Sequence, residues 1–237
     1  MKNVFVIVTA LFVSLNGGMA TAMSDSSAVP TEATTSAETT TTVASDTTTA
    51  GGTETGPAIS TPVVLEMVLG SADAPVEIIE YASFTCPHCA RFHDQVLPKL
   101  KSEYIDTGKV KLVYREVYFD RFGLWAGMVA RCGGQERYFG IADLMYKNQK
   151  EWIAGGNEPA TIVENLRRIG KTAGISDAEL DVCMADGAKA QAMVALYEAN
   201  AARDGINSTP SFLIDGTKFS NISYEDFSAE LDARLAE

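Results

Sequence analysis

The 237-residue chain has no lysine or arginine between Lys2 and Arg91, although nine acidic residues fall in that interval. Over the whole sequence 19 basic residues stand against 31 acidic ones, which gives a formal net charge of −12. A protein that binds nucleic acid through its phosphates needs a clustered basic surface. The lack of such a cluster argues against nucleic acid as a partner.

Cysteine and histidine are also scarce. Four cysteines in a chain of this length do not make a disulfide-dense scaffold, so each cysteine needs its own explanation. The two histidines, His88 and His93, supply few ligands for a metal ion. We therefore expect no metal site and no cofactor. Hydrophobic residues still make up 46% of the chain, which is enough for one sizeable core.

The first 22 residues have the pattern of a secretory signal peptide. Lys2 precedes an apolar run from Val4 to Leu15, and small residues follow it up to Ala22. The run is shorter than the roughly 20 residues that a membrane-spanning helix needs. We predict cleavage after Ala22 and export, with an uncleaved membrane anchor as the alternative. Export leads to the periplasm or another oxidising compartment, where disulfides persist.

Residues 23–60 have the composition of an unfolded tail. Twelve of these 38 residues are threonine and six are serine, and the segment contains no aromatic residue, lysine or arginine. Such a segment buries too little apolar surface to offset the chain entropy lost on folding. We predict a disordered tether, with a glycosylated stalk as the alternative.

The rest of the sequence changes from strand-like to helical periodicity and back. Residues 61–120 predict the order β-β-α-β, and residues 205–237 predict β-β-α. Because a helical block over 121–204 lies between them, we expect an α/β domain built from the two outer segments and a helical insertion domain. The predicted strands are Val63–Leu69, Val76–Ala82, Val110–Tyr118, Ser211–Asp215 and Lys218–Ser220.

Capping signals mark several helix boundaries. A first helix is predicted from Cys86 to about Ser102. In the helical block, Ser176 and Glu179 have the spacing of a capping box, and Gly205 stands where a left-handed residue ends a helix. The last helix is predicted from Ser223 to about Leu235.

The motif Cys86-Pro87-His88-Cys89 opens the first predicted helix. Unpaired N–H groups and the helix dipole favour an anion there, so the pKa of the Cys86 thiol should fall. Pro87 fits the first helical turn, and His88 can place a hydrogen-bonding or positive ring beside the thiolate. Cys89, one turn further on, is expected to be the shielded resolving thiol.

The segment 80–89, which reads EYASFTCPHC, resembles the active-site segment of the DsbA family of thiol oxidoreductases. The resemblance continues to Thr209-Pro210, which matches the cis-proline loop of that family, and the helical block matches its inserted helical domain. It covers residues 61–237. It implies a thioredoxin-like fold with an inserted all-helical domain.

The resemblance also implies a role for each matching residue. Cys86 is the sulfur that attacks or is attacked, and Cys89 resolves the mixed disulfide. Pro210, in cis, would lie against the disulfide and leave the backbone of Thr209 free to pair with an extended substrate. Glu80 matches a buried acid that assists proton transfer to Cys89.

The basic partner of this acid has no direct match, because Tyr114 stands near its place. Lys111 and Arg115 are the candidates. His93 shares a helix face with Cys86 and Cys89, but a zinc site would need a fourth ligand. We therefore expect His93 to be a packing or surface residue of the first helix.

Cys132 and Cys183 remain once Cys86 and Cys89 are paired by their local spacing. We predict a structural disulfide between them, inside the helical block. A bridge that closes such a loop would stabilise the fold by about 4 kcal/mol on the chain-entropy account. Two free thiols and a second redox relay are the alternatives.

The implied function is that of an exported thiol:disulfide oxidoreductase that donates its Cys86–Cys89 disulfide to reduced, unfolded substrate proteins. A membrane protein of the DsbB type would reoxidise it, and we expect a monomer. The alternatives are a disulfide isomerase or reductase of the same superfamily, and a non-catalytic binding module for metal or thiol proteins.

Overall fold

The structure, a computed structural model, describes residues 62–237, which fold around a five-stranded mixed sheet. The strands are β1 (Met67–Leu69), β2 (Val76–Ala82), β3 (Val110–Glu116), β4 (Ser211–Ile214) and β5 (Thr217–Phe219). Their spatial order is β1-β3-β2-β4-β5. Strands β2 and β3 run parallel, and the other neighbours are antiparallel. The central strands are rich in valine, isoleucine and aromatic residues, as expected for strands covered on both faces.

Strand β1 is shorter than the predicted segment Val63–Leu69. Val63 and Leu65 are 77% and 51% exposed, and Met67 is the buried residue of this segment. The carbonyl oxygen of Leu65 accepts a hydrogen bond from Arg131 at 2.8 Å. The predicted N-terminal bound of the strand was wrong, because a side chain rather than a neighbouring strand donates to this backbone carbonyl.

The predicted helix from Cys86 to Ser102 is divided. It consists of α1 (Pro87–Gln95), α2 (Leu97–Leu100) and a π-helical turn (Lys101–Ile105). The break is at Val96, two residues before Pro98. Proline has no backbone N–H and its ring clashes with the carbonyl four residues earlier, so a single continuous helix was the wrong prediction.

Helices occupy the described chain between β3 and β4, as the periodicity predicted. They are α3 (Arg121–Cys132), α4 (Gly134–Lys147), α5 (Gln149–Ile153), α6 (Pro159–Thr172), α7 (Asp177–Met184) and α8 (Gly187–Asp204), and α9 (Tyr224–Leu235) follows β5. Ser176 and Glu179 form the predicted capping box at the start of α7. Gly205 ends α8 with a φ of 64°, in the left-handed region that favours glycine.

Two hydrophobic cores meet near the start of α1. One fills the sheet face that α1 and α9 cover, where the rings of Phe92, Phe212 and Phe227 pack together. The other lies among the inserted helices and reaches Phe84 and Cys89. Burying a large apolar side chain contributes about 1.5–3 kcal/mol, so the two cores fix α1 in place through Phe92 and Cys89.

Cys132, the last residue of α3, and Cys183 of α7 are joined by a disulfide. The same two helices also share the core of the helical block through Val129 and Leu180. The covalent link therefore adds to an existing apolar contact.

The predicted signal peptide (residues 1–22) and tail (residues 23–60) lie outside the described residues. Within residues 62–237, no helix combines the length and the apolar character that crossing a bilayer requires.

Candidate active site

Cys86 occupies the N-cap position of α1. Its backbone is extended, with φ −81° and ψ 118°, and its sulfur accepts the N–H of Cys89 at 3.4 Å. Pro87 begins the helix, where its missing N–H has no helical partner to lose. The sulfur of Cys86 therefore lies at the positive end of the helix, beside unpaired backbone donors.

This environment lowers the pKa of the Cys86 thiol to about 5. The largest cause is a hydrogen bond from the Cys89 side chain, and burial acts in the opposite direction. A hydrogen bond from the Thr209 side chain, and hydrogen bonds from the backbone N–H groups of Cys89 and His88, lower the pKa further. At neutral pH Cys86 is a thiolate, the form that attacks disulfides and that leaves readily from a mixed disulfide.

Cys89 has the opposite protonation preference. Its side chain is buried in the core of the helical block. Burial raises its pKa far above the ordinary value, and the sulfur of Cys86 and the carboxylate of Glu80 raise it further. The structure holds both cysteines as free thiols, so the pair combines a partly exposed thiolate with a shielded thiol.

The loop before β4 lies against the cysteine motif. The Thr209-Pro210 peptide bond is cis, with Pro210 buried and Thr209 partly exposed. The carbonyl oxygen of Thr209 is 3.4 Å from Sγ of Cys86. The sheet thus brings together two segments that lie 123 residues apart in the sequence.

Glu80 is fully buried on β2 and pairs with His93 of α1. Nε2 of His93 is 2.9 Å from Oε1 of Glu80. Oε2 of Glu80 has no hydrogen-bond partner among the described residues. The expectation that His93 is a packing or surface residue missed this pairing. The available signal was its four-residue spacing from Cys89, which places His93 on the same face of α1 as the buried thiol.

The candidate basic partners of Glu80 are engaged elsewhere. The observed ion pairs are Lys111 with Glu77, and Arg115 with Glu66 and Asp204. In the parallel register Tyr114 stands opposite Glu80, and side chains an odd number of positions away on β3 point to the other face. Both candidates were therefore wrong, and α1 rather than β3 supplies the partner.

The imidazole of His88 is exposed, and its Nδ1 lies 2.5 Å from Nη2 of Arg91. Because a guanidinium only donates hydrogen bonds, Nδ1 is the acceptor in this contact. His88 acts on the Cys86 pKa through its backbone N–H. Stabilisation of the thiolate by the ring stays a prediction.

We expect Cys89→Ala to raise the Cys86 pKa more than His88→Leu does. The first change removes the largest stabilising hydrogen bond, whereas the second removes a ring and keeps the backbone donor. Thiolate absorbance titrated in the reduced wild type and both variants measures the three midpoints. A His88→Leu midpoint equal to that of the wild type would show that the ring has no part, and an unchanged Cys89→Ala midpoint would contradict the hydrogen-bond account.

Two further residues hold the motif and were not predicted. The side-chain amide of Gln149 donates to the carbonyl oxygens of Phe84 and Cys86, at 2.8 and 2.9 Å. Asp120, the N-cap of α3, accepts the Thr85 hydroxyl at 2.6 Å. Gln149 lies within the helical block and Asp120 directly precedes it. Both are far from the motif in the sequence, so no local sequence pattern connects them to it.

Within residues 62–237, no group of three or more histidine, cysteine, aspartate or glutamate side chains is arranged to hold a metal ion. The ring of His93, which shares a helix face with both cysteines of the motif, is engaged with Glu80.

Comparison with known families supplies the assignment. Residues 63–233 match the family described as Thioredoxin, which is more than half of the chain. The chain belongs to the thioredoxin family. Alpha-DsbA1 of Wolbachia pipientis superposes on this member of the family with a TM-score of 0.68 and 28% identity, over 74% of this chain and 93% of the Wolbachia chain. The predicted thioredoxin-like fold and the resemblance to DsbA proteins are confirmed.

Relatives of known name point to disulfide chemistry. A Rickettsia bellii protein named as a protein-disulfide oxidoreductase is 33% identical over 173 residues, which is 73% of this chain and 65% of that protein. Disulfide bond formation protein D of Bacillus subtilis is 27% identical over 118 residues, or 42% of this chain and 53% of that protein. The aligned part of the chain spans less than two thirds of the length of these relatives.

Proposed function

We propose that this thioredoxin-family protein is an exported protein thiol:disulfide oxidoreductase that donates the Cys86–Cys89 disulfide to reduced substrate proteins. The contrast within the pair carries the proposal: a thiolate with a pKa of about 5 at a helix N-terminus stands beside a buried thiol. The pKa of such an active-site thiol is about 3.5 in the oxidant DsbA and about 7 in the reductant thioredoxin. The Cys86 value lies well below that of the reductant, which favours donation.

The exchange proceeds in two displacements. A substrate thiolate attacks Sγ of Cys86, a substrate–Cys86 bond forms, and the bond between Cys86 and Cys89 breaks. The electron pair goes to Cys89, which takes up a proton. A second substrate thiolate then attacks the substrate sulfur of the mixed disulfide, and Cys86 leaves as a thiolate. Two substrate thiols are oxidised, the cysteine pair is reduced, and of the two thiol protons one stays on Cys89 and one enters solvent.

The residues around the pair serve these steps. The partly exposed backbone at Thr209, next to the Cys86 sulfur, is suited to pair with an extended substrate segment. Pro210, the next residue, is buried, and the side-chain amide of Gln149 donates to the carbonyl of Cys86. Glu80 supplies a buried carboxylate near Cys89, where a proton has to arrive in the first displacement.

The same proposal gives a role to each segment of the chain outside the active site. Residues 1–22 direct export to the periplasm or a comparable oxidising compartment, and residues 23–60 form a tether. The thioredoxin-like domain is made of 61–120 and 205–237, with 121–204 as the helical insertion domain. A membrane reoxidant of the DsbB type returns the pair to the disulfide, and the protein acts as a monomer.

The test is stoichiometric transfer. The oxidised mature chain is mixed with a reduced, unfolded, cysteine-containing protein in the absence of oxygen, and the disulfides formed in the substrate are counted. We expect one per chain, and the same yield from a chain that lacks residues 23–60. A chain that only rearranges existing disulfides is an isomerase, and that outcome would replace the proposal.

A further inference from the structure

The Glu80–His93 pair lies between the protein interior and a cavity that opens to the surface. Glu80 is fully buried, and His93 holds its Oε1 through Nε2. The ring of His93 also borders a cavity of about 380 Å³ between α1, α4 and α5. Exposed side chains such as Arg91 and Lys150 stand at the rim of this cavity. His93 therefore lies between bulk solvent and the buried carboxylate.

The inner end of the pair is close to the resolving thiol. Cys89 lies one helical turn before His93 on the same face of α1. The charge of Glu80 raises the Cys89 pKa, and Oε2 of Glu80 is a buried acceptor without a hydrogen-bond partner among the described residues. Cys89 gains a proton when its disulfide opens and loses one when the disulfide forms again. Because Cys89 is fully buried, that proton needs a path through protein groups.

The neighbouring tyrosines are poor alternatives as carriers. Tyr146 stacks on the ring of His93 at 4.0 Å, and its hydroxyl is 2.6 Å from that of Tyr114. Burial holds the pKa of both hydroxyls well above the ordinary value, so both stay protonated. The imidazole of His93, by contrast, has two ring nitrogens, so it can take up a proton at one and release a proton from the other.

Charged groups also face His93 from three helices that surround the cavity. They are Arg91 and Asp94 on α1, Asp143 and Lys147 on α4, and Lys150 and Glu151 on α5. Lys101 borders an adjoining apolar depression that His93 also lines. The cations and anions that line the cavity are equal in number, so together they give it no net formal charge.

We propose that His93 carries protons between this cavity and the Glu80 carboxylate, which exchanges them with the Cys89 thiol. The inference rests on the proposed function and gives it a proton path. When a substrate opens the disulfide, the Cys89 sulfur takes a proton from the Glu80 carboxyl, His93 returns one to Glu80, and water of the cavity returns one to His93. Reoxidation runs the same path outward. His93 does not touch the reacting sulfur and acts through Glu80.

Reaction of the reduced full chain with an aromatic disulfide that releases a coloured thiolate separates the two thiols. In the first phase Cys86 attacks, one coloured thiolate is released, and the other half of the reagent stays bound to Cys86. In the second phase Cys89 loses its proton, attacks the Cys86 sulfur and releases the second coloured thiolate. Stopped-flow absorbance over a range of pH gives both rate constants.

His93→Gln keeps a hydrogen-bond donor for Glu80 but cannot carry a proton. We expect an unchanged first phase and a second phase slowed by about 10- to 100-fold at neutral pH, within the usual range for loss of general acid–base assistance. The second-phase rate of this variant should rise in proportion to hydroxide. Asp143→Asn, on the wall of the same cavity, is the matched control and should leave both phases at the wild-type rates.

A second phase in His93→Gln with the wild-type rate and pH profile would overturn the proposal, and so would equal slowing by Asp143→Asn. Wild-type protein provides a test that does not depend on a variant: the second phase should be slower in heavy water and the first should not. Equal isotope effects on both phases would also overturn the proton path. If the wild type lacks the fast first phase, Cys86 is not the reactive thiol and the proposed function itself fails.

Discussion

Cys86→Ser is expected to abolish disulfide donation. A serine oxygen forms neither the internal disulfide with Cys89 nor a mixed disulfide with a substrate. The helix N-terminus and the hydrogen bonds from Thr209 and Cys89 would remain, but the thiolate that they stabilise would be gone. Counting disulfides in a reduced, unfolded substrate should return the background value of the substrate alone.

Cys89→Ser is the matched control for this experiment. It keeps the partly exposed Cys86 thiolate and removes the resolving sulfur. When a disulfide-containing partner is added, Cys86 attacks one of its sulfurs, the other sulfur leaves as a thiolate, and we expect the mixed disulfide on Cys86 to accumulate. Mass spectrometry under non-reducing conditions detects that complex and locates it on Cys86. Full oxidising activity in Cys86→Ser, or a mixed disulfide trapped on Cys89 in that variant, would contradict the assignment of roles within the pair.

Replacing Cys132 and Cys183 together by alanine should lower the free energy of unfolding by about 2–5 kcal/mol. The two cysteines are 51 residues apart, and a loop of this length corresponds to about 4 kcal/mol of stabilisation through the unfolded chain. Urea unfolding of both proteins gives the difference. Disulfide donation by Cys86 should be unchanged, because the bridge joins α3 to α7, neither of which carries the cysteine motif.

Val182→Ala tests whether the loss comes from the bridge. Val182 is next to Cys183 and is 75% exposed, so its truncation removes little buried surface. We expect the wild-type unfolding midpoint for this variant. A double cysteine variant that also unfolds at the wild-type midpoint would show that the bridge adds nothing to stability.

The elements with a strong local pattern were predictable. The alternating and β-branched segment of β2 was predicted with the bounds that the structure has, and the capping box of Ser176 marked the start of α7. The failures have local physical causes. Pro98 interrupts a segment whose apolar spacing is otherwise helical. Strand β1 begins later than predicted, because the Arg131 side chain of α3 donates to the carbonyl oxygen of Leu65.

The residues of the candidate site also fall into those that a local pattern predicted and those that it missed. Cys86 and Cys89 were found because their spacing, the proline and the helix start lie within four residues. The pairing of Glu80 with His93 was missed because it depends on how α1 packs over β2, and 13 residues separate the two side chains. Gln149 was missed for the same reason, since 63 residues separate it from the carbonyl that it holds.

The low Cys86 pKa also determines how the redox balance depends on pH. A thiol whose pKa falls from 9.0 to about 5 on folding stabilises the reduced protein fully above about pH 9. That stabilisation declines below pH 9 and is lost as the pH falls through about 5. At pH 7 it amounts to about 2 kcal/mol, after allowance for solvent screening at a partly exposed sulfur.

The equilibrium of the Cys86–Cys89 pair with glutathione tests the central claim most directly. Compared with a thiolate pKa of about 7, a value of about 5 favours the reduced pair at pH 7 by an amount equivalent to roughly 50 mV. We therefore expect a potential at least roughly 40 mV above the −270 mV or so of thioredoxin, on the side of the oxidant DsbA at about −120 mV. A potential at or below that of thioredoxin would make the pair a reductant and contradict the account.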